Sequence, residues 1–122
     1  KYILISKDPD IVESFKSPEA FLPSDEVLAF SDWKEALDAT ENADLLFVDM
    51  VATLNEPHKI EGYEQFAEAK MDHPTASKVP LVLISLPEGY EIDFLTGYPD
   101  FVFAHMPHPP TVKLFRRAST WG

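Results

Sequence analysis

Few side chains in this 122-residue chain are placed to do chemistry, and cysteine is not among them. That absence excludes disulfides, zinc–thiolate sites and thiol nucleophiles. His105 and His108 stand three apart, a spacing used in some metal sites. Prolines lie between and after them and no third ligand is in view, so two loop histidines are expected and no metal site is assigned. Glu56 and His58 have the groups for acid–base work, but nothing in the sequence orients one against the other, and an exposed loop is the expectation. No glycine-rich phosphate loop and no Ser–His–acid arrangement is recognisable. The chain is therefore read as not an enzyme, and no catalytic residue is assigned. An α/β enzyme or small-ligand sensor built on the long loop after Asp49 stays as a weaker alternative. The remaining candidates are residues that close apolar runs: Ser6, Lys7 and Asp8 after Tyr2 to Ile5, Asp49 after Leu45 to Val48, and Ser85 after Leu81 to Ile84. Taken blandly, Asp49 caps a strand end and Ser85 bonds nearby backbone.

The elements that must position these residues follow from the pattern. Short continuous apolar runs ended by polar residues suit strands buried on both faces of a parallel sheet. Such runs are Tyr2 to Ile5, Glu26 to Phe30, Ala43 to Met50, Val79 to Ser85 and Phe101 to Ala104. Between them lie helical stretches. Asp10 to Lys16 follows Pro9, with Asp8 as N-cap. Ser31 to Leu37 has Ser31 as N-cap, with Ala36 and Leu37 on the buried face. Ile60 to Met71 carries Tyr63, Phe66, Ala67 and Lys70 at spacings of three and four. Glu91 to Leu95 is a stunted fourth helix between Gly89 and Gly97, and Thr111 to Ala118 is the last. Strand and helix alternate five times. This predicts an α/β fold, a doubly wound five-stranded parallel sheet with helices on both faces. Sites in such folds form at the carboxyl ends of the strands, where the candidates above lie. Trp33 and Trp121 read as packing or surface residues.

Composition bounds the partners. Hydrophobic residues are 45% and charged residues 25%, which fits one globular domain spanning residues 1–122. The formal net charge of −11 repels phosphate backbones and anionic membranes, so neither nucleic acid nor membrane is expected as a partner. No apolar run reaches the ~18 residues of a membrane span. No signal peptide is visible, and a cytoplasmic setting is expected. A first residue other than Met reads as a domain excised from a longer protein.

With these residues in place, the chain resembles the receiver (CheY-like) family of bacterial response regulators along essentially its whole length. Asp44-Leu45-Leu46-Phe47-Val48-Asp49-Met50 is similar to the third strand that ends in the phospho-accepting aspartate. Val79-Pro80-Leu81-Val82-Leu83-Ile84-Ser85 is similar to the fourth strand with its terminal Ser or Thr. Phe101-Val102-Phe103-Ala104-His105-Met106-Pro107 is similar to the fifth, where the family has a Lys before a Pro. Ser31 to Leu37 is similar to the second helix. The resemblance implies a flavodoxin-like sheet, Asp49 as phospho-acceptor position, and Ser85 and Phe103 as switch positions. Phe103 is otherwise read as a plain packed side chain.

The departures carry the functional expectation. Aligned on Pro9, Ser6 and Lys7 replace the acidic pair with which the family helps hold Mg²⁺; a register shifted by one offers Asp8 instead. Met106 stands at the lysine position, and a thioether carries no charge. Phosphoryl transfer to a carboxylate needs the growing charge neutralised by metal and cation. Lys7 is expected to pair with Asp49 and fill the pocket, two unit charges at ~4 Å interacting by about 4 kcal/mol at an effective dielectric of ~20. The expectation is thus a pseudo-receiver that signals by protein–protein interaction, through a partner, a fused output domain or a homodimer, without a cofactor. The alternative is an atypical phospho-receiver that uses Asp49 with Mg²⁺.

Overall fold

The computed structural model describes residues 1–55, 61–86 and 102–121. Strands β1 (Tyr2–Ile5), β2 (Val27–Phe30), β3 (Leu45–Asp49), β4 (Leu81–Ile84) and β5 (Ala104–Met106) form one sheet in the order β2-β1-β3-β4-β5. Every adjacent pair is parallel. Among doubly wound sheets this is the flavodoxin-like order rather than that of the dinucleotide-binding fold. The α/β class and the parallel sheet with helices on both faces are as expected from the alternating runs.

The apolar runs form strands because both of their faces are covered. In β1 and β3 every residue is buried. Successive side chains point to opposite faces, and the burial follows that rule. Ile3, Ile5, Leu46, Val48, Leu81 and Leu83 face one layer, with Ala36, Leu37, Met50, Tyr63 and Phe66. These helical residues come from α2 (Trp33–Asp38), α3 (Met50–Thr53) and α4 (Glu61–Asp72). Tyr2, Leu4, Leu45, Phe47, Val82 and Ile84 face the other, with Ile11 and Phe15 of α1 (Pro9–Phe15) and Phe115 of α5 (Val112–Ala118). An aromatic knot fills this second layer: Phe15–Phe115 centroids are 5.4 Å apart, Phe47–Phe115 5.3 Å and Phe15–Phe47 5.8 Å, all edge-on. Edge-to-face pairs of this kind add about 0.5–1.5 kcal/mol beyond area burial.

Local signals fix the helix starts. The Asp8 side chain accepts the Asp10 N–H at 2.9 Å, and Pro9 occupies the first turn, as the sequence predicts. The α2 cap differs: Asp32, not Ser31, accepts the Lys34 N–H at 2.9 Å. Both residue types cap well, and the one that lies two residues before the amide prevails. In α4 the expected face of Tyr63, Phe66, Ala67 and Lys70 is buried. Gly62 sits where α4 crosses the end of α3, with the Thr53–Asn55 backbone against its Cα.

The fifth strand falls later than the Phe101 to Ala104 expected. Ala104, His105 and Met106 pair with Val82, Leu83 and Ile84. This is an edge strand with alternating burial, so its polar His105 points outward while Met106 enters the core. The expected shortened fourth helix, Glu91 to Leu95, lies outside the described residues, as do Phe101, Glu56 and His58.

Candidate functional site at the carboxyl edge of the sheet

The carboxyl ends of β1 and β3 lie side by side because Ile5 is paired with Val48. The next residue of each chain segment is polar: Ser6 and Asp49, each 3% exposed. They meet directly. The Ser6 Oγ–H donates to Asp49 Oδ2 at 2.9 Å. The same Oγ accepts the Asp8 N–H at 3.1 Å. The other Asp49 oxygen, Oδ1, accepts the Val51 N–H at 3.3 Å and so caps α3. Asp49 is therefore held by the start of one helix and, through Ser6, tied to the start of another.

Burial is the main cause that pushes the Asp49 carboxyl above the ordinary carboxylate range. The hydrogen bonds from Ser6 and Val51, and then the positive charge available on His108, pull the other way; the negative charge of Asp8 adds to the rise. Desolvation outweighs the two hydrogen bonds.

The predicted site residues separate into those brought to Asp49 and those that are not. Ser6 and Asp8 are brought there. Lys7 is not: alternation puts Ser6 on the same face of the sheet as Asp49, Lys7 lies past the covered end of β1 and is exposed, and among the described residues Asp49 makes no ion pair. The expected Lys7–Asp49 salt bridge is thus replaced by the Ser6 hydroxyl. Met106 is 1% exposed and belongs to the apolar cluster of Phe47 and Phe115. The residue whose charge acts on Asp49 from that side is His108, two positions later, before the cis His108–Pro109 bond. Its Nδ1 is buried without a hydrogen-bond partner among the described residues. The resemblance places Met106 at the lysine position, and the sequence pattern marks His108 only as a loop histidine, so the residue whose charge reaches Asp49 is missed. His105 points outward from β5, and no group of metal-ligating residues forms among the described residues. Ser85 follows β4, half-buried, with its N–H donating to the Met106 carbonyl at 2.9 Å. Phe103 is 54% exposed rather than packed, and lies at the opposite end of the sheet beside Leu81.

The resemblance implies Mg²⁺ here, and the donor set does not fit it. Mg²⁺ takes carboxylates and waters in near-octahedral array. Both Asp49 oxygens already accept hydrogen bonds, a neutral hydroxyl occupies the place of one acid, and Asp8 Oδ1 is engaged in capping α1. What the arrangement does instead is hold a buried carboxylate in one orientation. A neighbouring cavity of ≈540 Å³ lies between the starts of α1 and α5, lined by Asp8, Asp10, Ile11 and Pro109 to Lys113 among others. No protein-family model matches this chain and no curated protein sequence matches it, so its fold and this site are what its functional reading rests on.

Proposed function

We propose that this chain is a pseudo-receiver: a signalling domain of receiver-like architecture that acts by protein–protein interaction and is not switched by Mg²⁺-dependent aspartyl phosphorylation. One observation carries the reading. The Ser6 hydroxyl donates to Asp49 where a phospho-receiver needs an acid to hold the metal. An aspartate in this position has lost its metal partner and gained a neutral clamp. The flavodoxin-like strand order and the place of Asp49 at the end of β3 support the receiver-like part of the reading. A net charge of −11 supports a protein partner, fused output domain or second copy over nucleic acid or an anionic membrane, and a cytoplasmic setting accords with it. No catalytic role is assigned to Asp49.

The test is incubation of the folded chain with Mg²⁺ and a small phosphodonor, read by intact mass, with Asp49→Asn as control. No adduct is expected, and no stabilisation by Mg²⁺ with beryllofluoride. An adduct that disappears in Asp49→Asn sinks the reading in favour of an atypical phospho-receiver. The proximity of Asp8, whose charge acts on Asp49, is what would then have supplied the second acid.

A further inference from the structure

Strand β2 stands at one edge of the sheet. Its hydrogen bonds to β1 fix which of its backbone groups are used. The Tyr2 N–H donates to the Glu26 carbonyl at 2.8 Å, and the Ser6 N–H to the Phe30 carbonyl at 2.9 Å. Backbone groups alternate sides along a strand. Glu26, Leu28 and Phe30 therefore face β1, while Val27 and Ala29 turn both N–H and C=O away from it. Among the described residues, those two N–H and two C=O groups have no partner. Residues 1–55, with β2 and both of its connections, are all described, and β4 and β5 stand at the other edge, beyond β1 and β3.

Edge strands that stay single are blunted by lysine, proline, a charge or a bulge. Val27–Phe30 carries none of these: it reads Val-Leu-Ala-Phe and pairs with Tyr2–Ile5 residue for residue. Its side chains are half-buried on both faces, Leu28 and Phe30 with one apolar cluster, Val27 and Ala29 with the other. An added strand of the same kind would extend both layers. The strand also fits itself. In an antiparallel pair about a two-fold axis at Leu28, Val27 lies opposite Ala29 of a second copy and exchanges both bonds with it, and Ala29 does the same with Val27. All of the outward groups are then satisfied. The charges agree with this register. Glu26 falls opposite Phe30, Asp25 opposite Ser31 and Asp32 opposite Ser24, so no acid meets an acid. Moving the axis to Ala29 would set Glu26 against Asp32.

We propose that this chain self-associates through β2, two copies joining edge to edge as an antiparallel pair centred on Leu28, so that two five-stranded sheets become one continuous sheet. The edge is separate from Asp49, and the proposal stands whether or not the pseudo-receiver reading does. The contact is small and each copy carries a net charge of −11, so the dimer is weak and is strengthened by salt.

The test is sedimentation equilibrium of the folded chain from about 10 μM to about 1 mM, at low salt and at about 0.5 M salt. A monomer–dimer equilibrium is expected, tighter at the higher salt. Ala29→Pro removes an outward N–H and keeps every bond to β1, and is expected to weaken the dimer at least about tenfold. Because the chain has no cysteine, single introduced cysteines report the register. Leu28→Cys sets two thiols opposite each other across the axis, within disulfide reach, and is expected to cross-link on mild oxidation. Glu26→Cys, at an exposed position four residues out of step with its own copy and so about 13 Å from it, is not. Should Ala29→Pro fail to fold, the two cysteine variants decide. A monomer throughout the concentration range would overturn the proposal and leave the edge to a strand of another protein. So would a dimer that Ala29→Pro leaves intact, or equal cross-linking of the two cysteine variants.

Discussion

The Ser6 hydroxyl satisfies two groups at once, donating to Asp49 and accepting from the Asp8 amide. It holds a buried carboxylate at the end of β3 by hydrogen bonding, and the cost of that burial appears in the titration of Asp49. Because burial raises the Asp49 pKa from its ordinary 3.8, the folded chain keeps this proton to higher pH than the unfolded chain. Between the two values the native state binds more protons, so stability falls as pH rises through that window. Below the unfolded value the cost of the buried charge is absent; above the folded value it is fully present. Asp49→Asn keeps a carbonyl acceptor for the Val51 N–H and turns its amide N–H toward the Ser6 hydroxyl, which then accepts; removing the buried charge is therefore expected to stabilise the fold by on the order of 1 kcal/mol at neutral pH. The gain should shrink steadily toward about pH 4, as seen by urea unfolding of both proteins across that range. A gain that stays constant with pH would assign it to something other than the charge. At this scale the sequence singled out Ser6 only through a resemblance, which implies an acid at its position. It did not reveal what the serine does. That depends on two strand ends meeting, and on the alternation that puts Ser6 and Asp49 on the same face.

Among the elements, α3 and α4 cross with backbone close to backbone at Gly62. A Cβ on Gly62 would overlap the Thr53 carbonyl and lie 2.8 Å from the Asn55 amide nitrogen. All of these neighbours are backbone, and none can move without shifting the chain. Gly62→Ala is thus expected to cost roughly 1–3 kcal/mol, despite the gain in helix propensity that alanine brings elsewhere. Thermal and urea unfolding will measure it, and a neutral or stabilising result would mean that the two helices separate readily. Near by, His73 fixes the end of α4 as a local anchor. Its Nδ1 accepts the Thr75 and Ala76 amides at 3.2 and 3.1 Å, which places the ring proton on Nε2, donating to Asp38 at 3.0 Å. Elements with a strong local signature were legible. Continuous apolar runs gave β1, β3 and β4; Asp8-Pro9 gave the start of α1; the three-and-four spacing gave α4. The fifth strand was misplaced because an edge strand of three residues has no such run. Its apolar neighbours at 101–103 drew the expectation upstream, whereas pairing with β4 decides the matter. The short α3 had no signal beyond the capping power of Asp49 itself.

For the whole molecule, the sheet is a partition. One apolar cluster lies on the side of α2, α3 and α4, the other on the side of α1 and α5, and they draw on alternate residues of the same strands. Phe66 and Phe115 are fully buried in opposite clusters. Replacing each by leucine is expected to cost roughly 1 kcal/mol, and the double variant to match the sum within about 0.5 kcal/mol. By contrast Phe15→Leu with Phe115→Leu, whose rings touch at 5.4 Å, should depart from additivity. Urea unfolding of the singles and doubles decides between these. A strong coupling of Phe66 to Phe115 would mean that the strands transmit packing strain from face to face. The same partition bears on how such a chain can diverge. A substitution in one layer leaves the packing of the other intact, so the two helical layers are free to drift at different times and at different rates. Only the strands, read from both sides, must satisfy both histories at once.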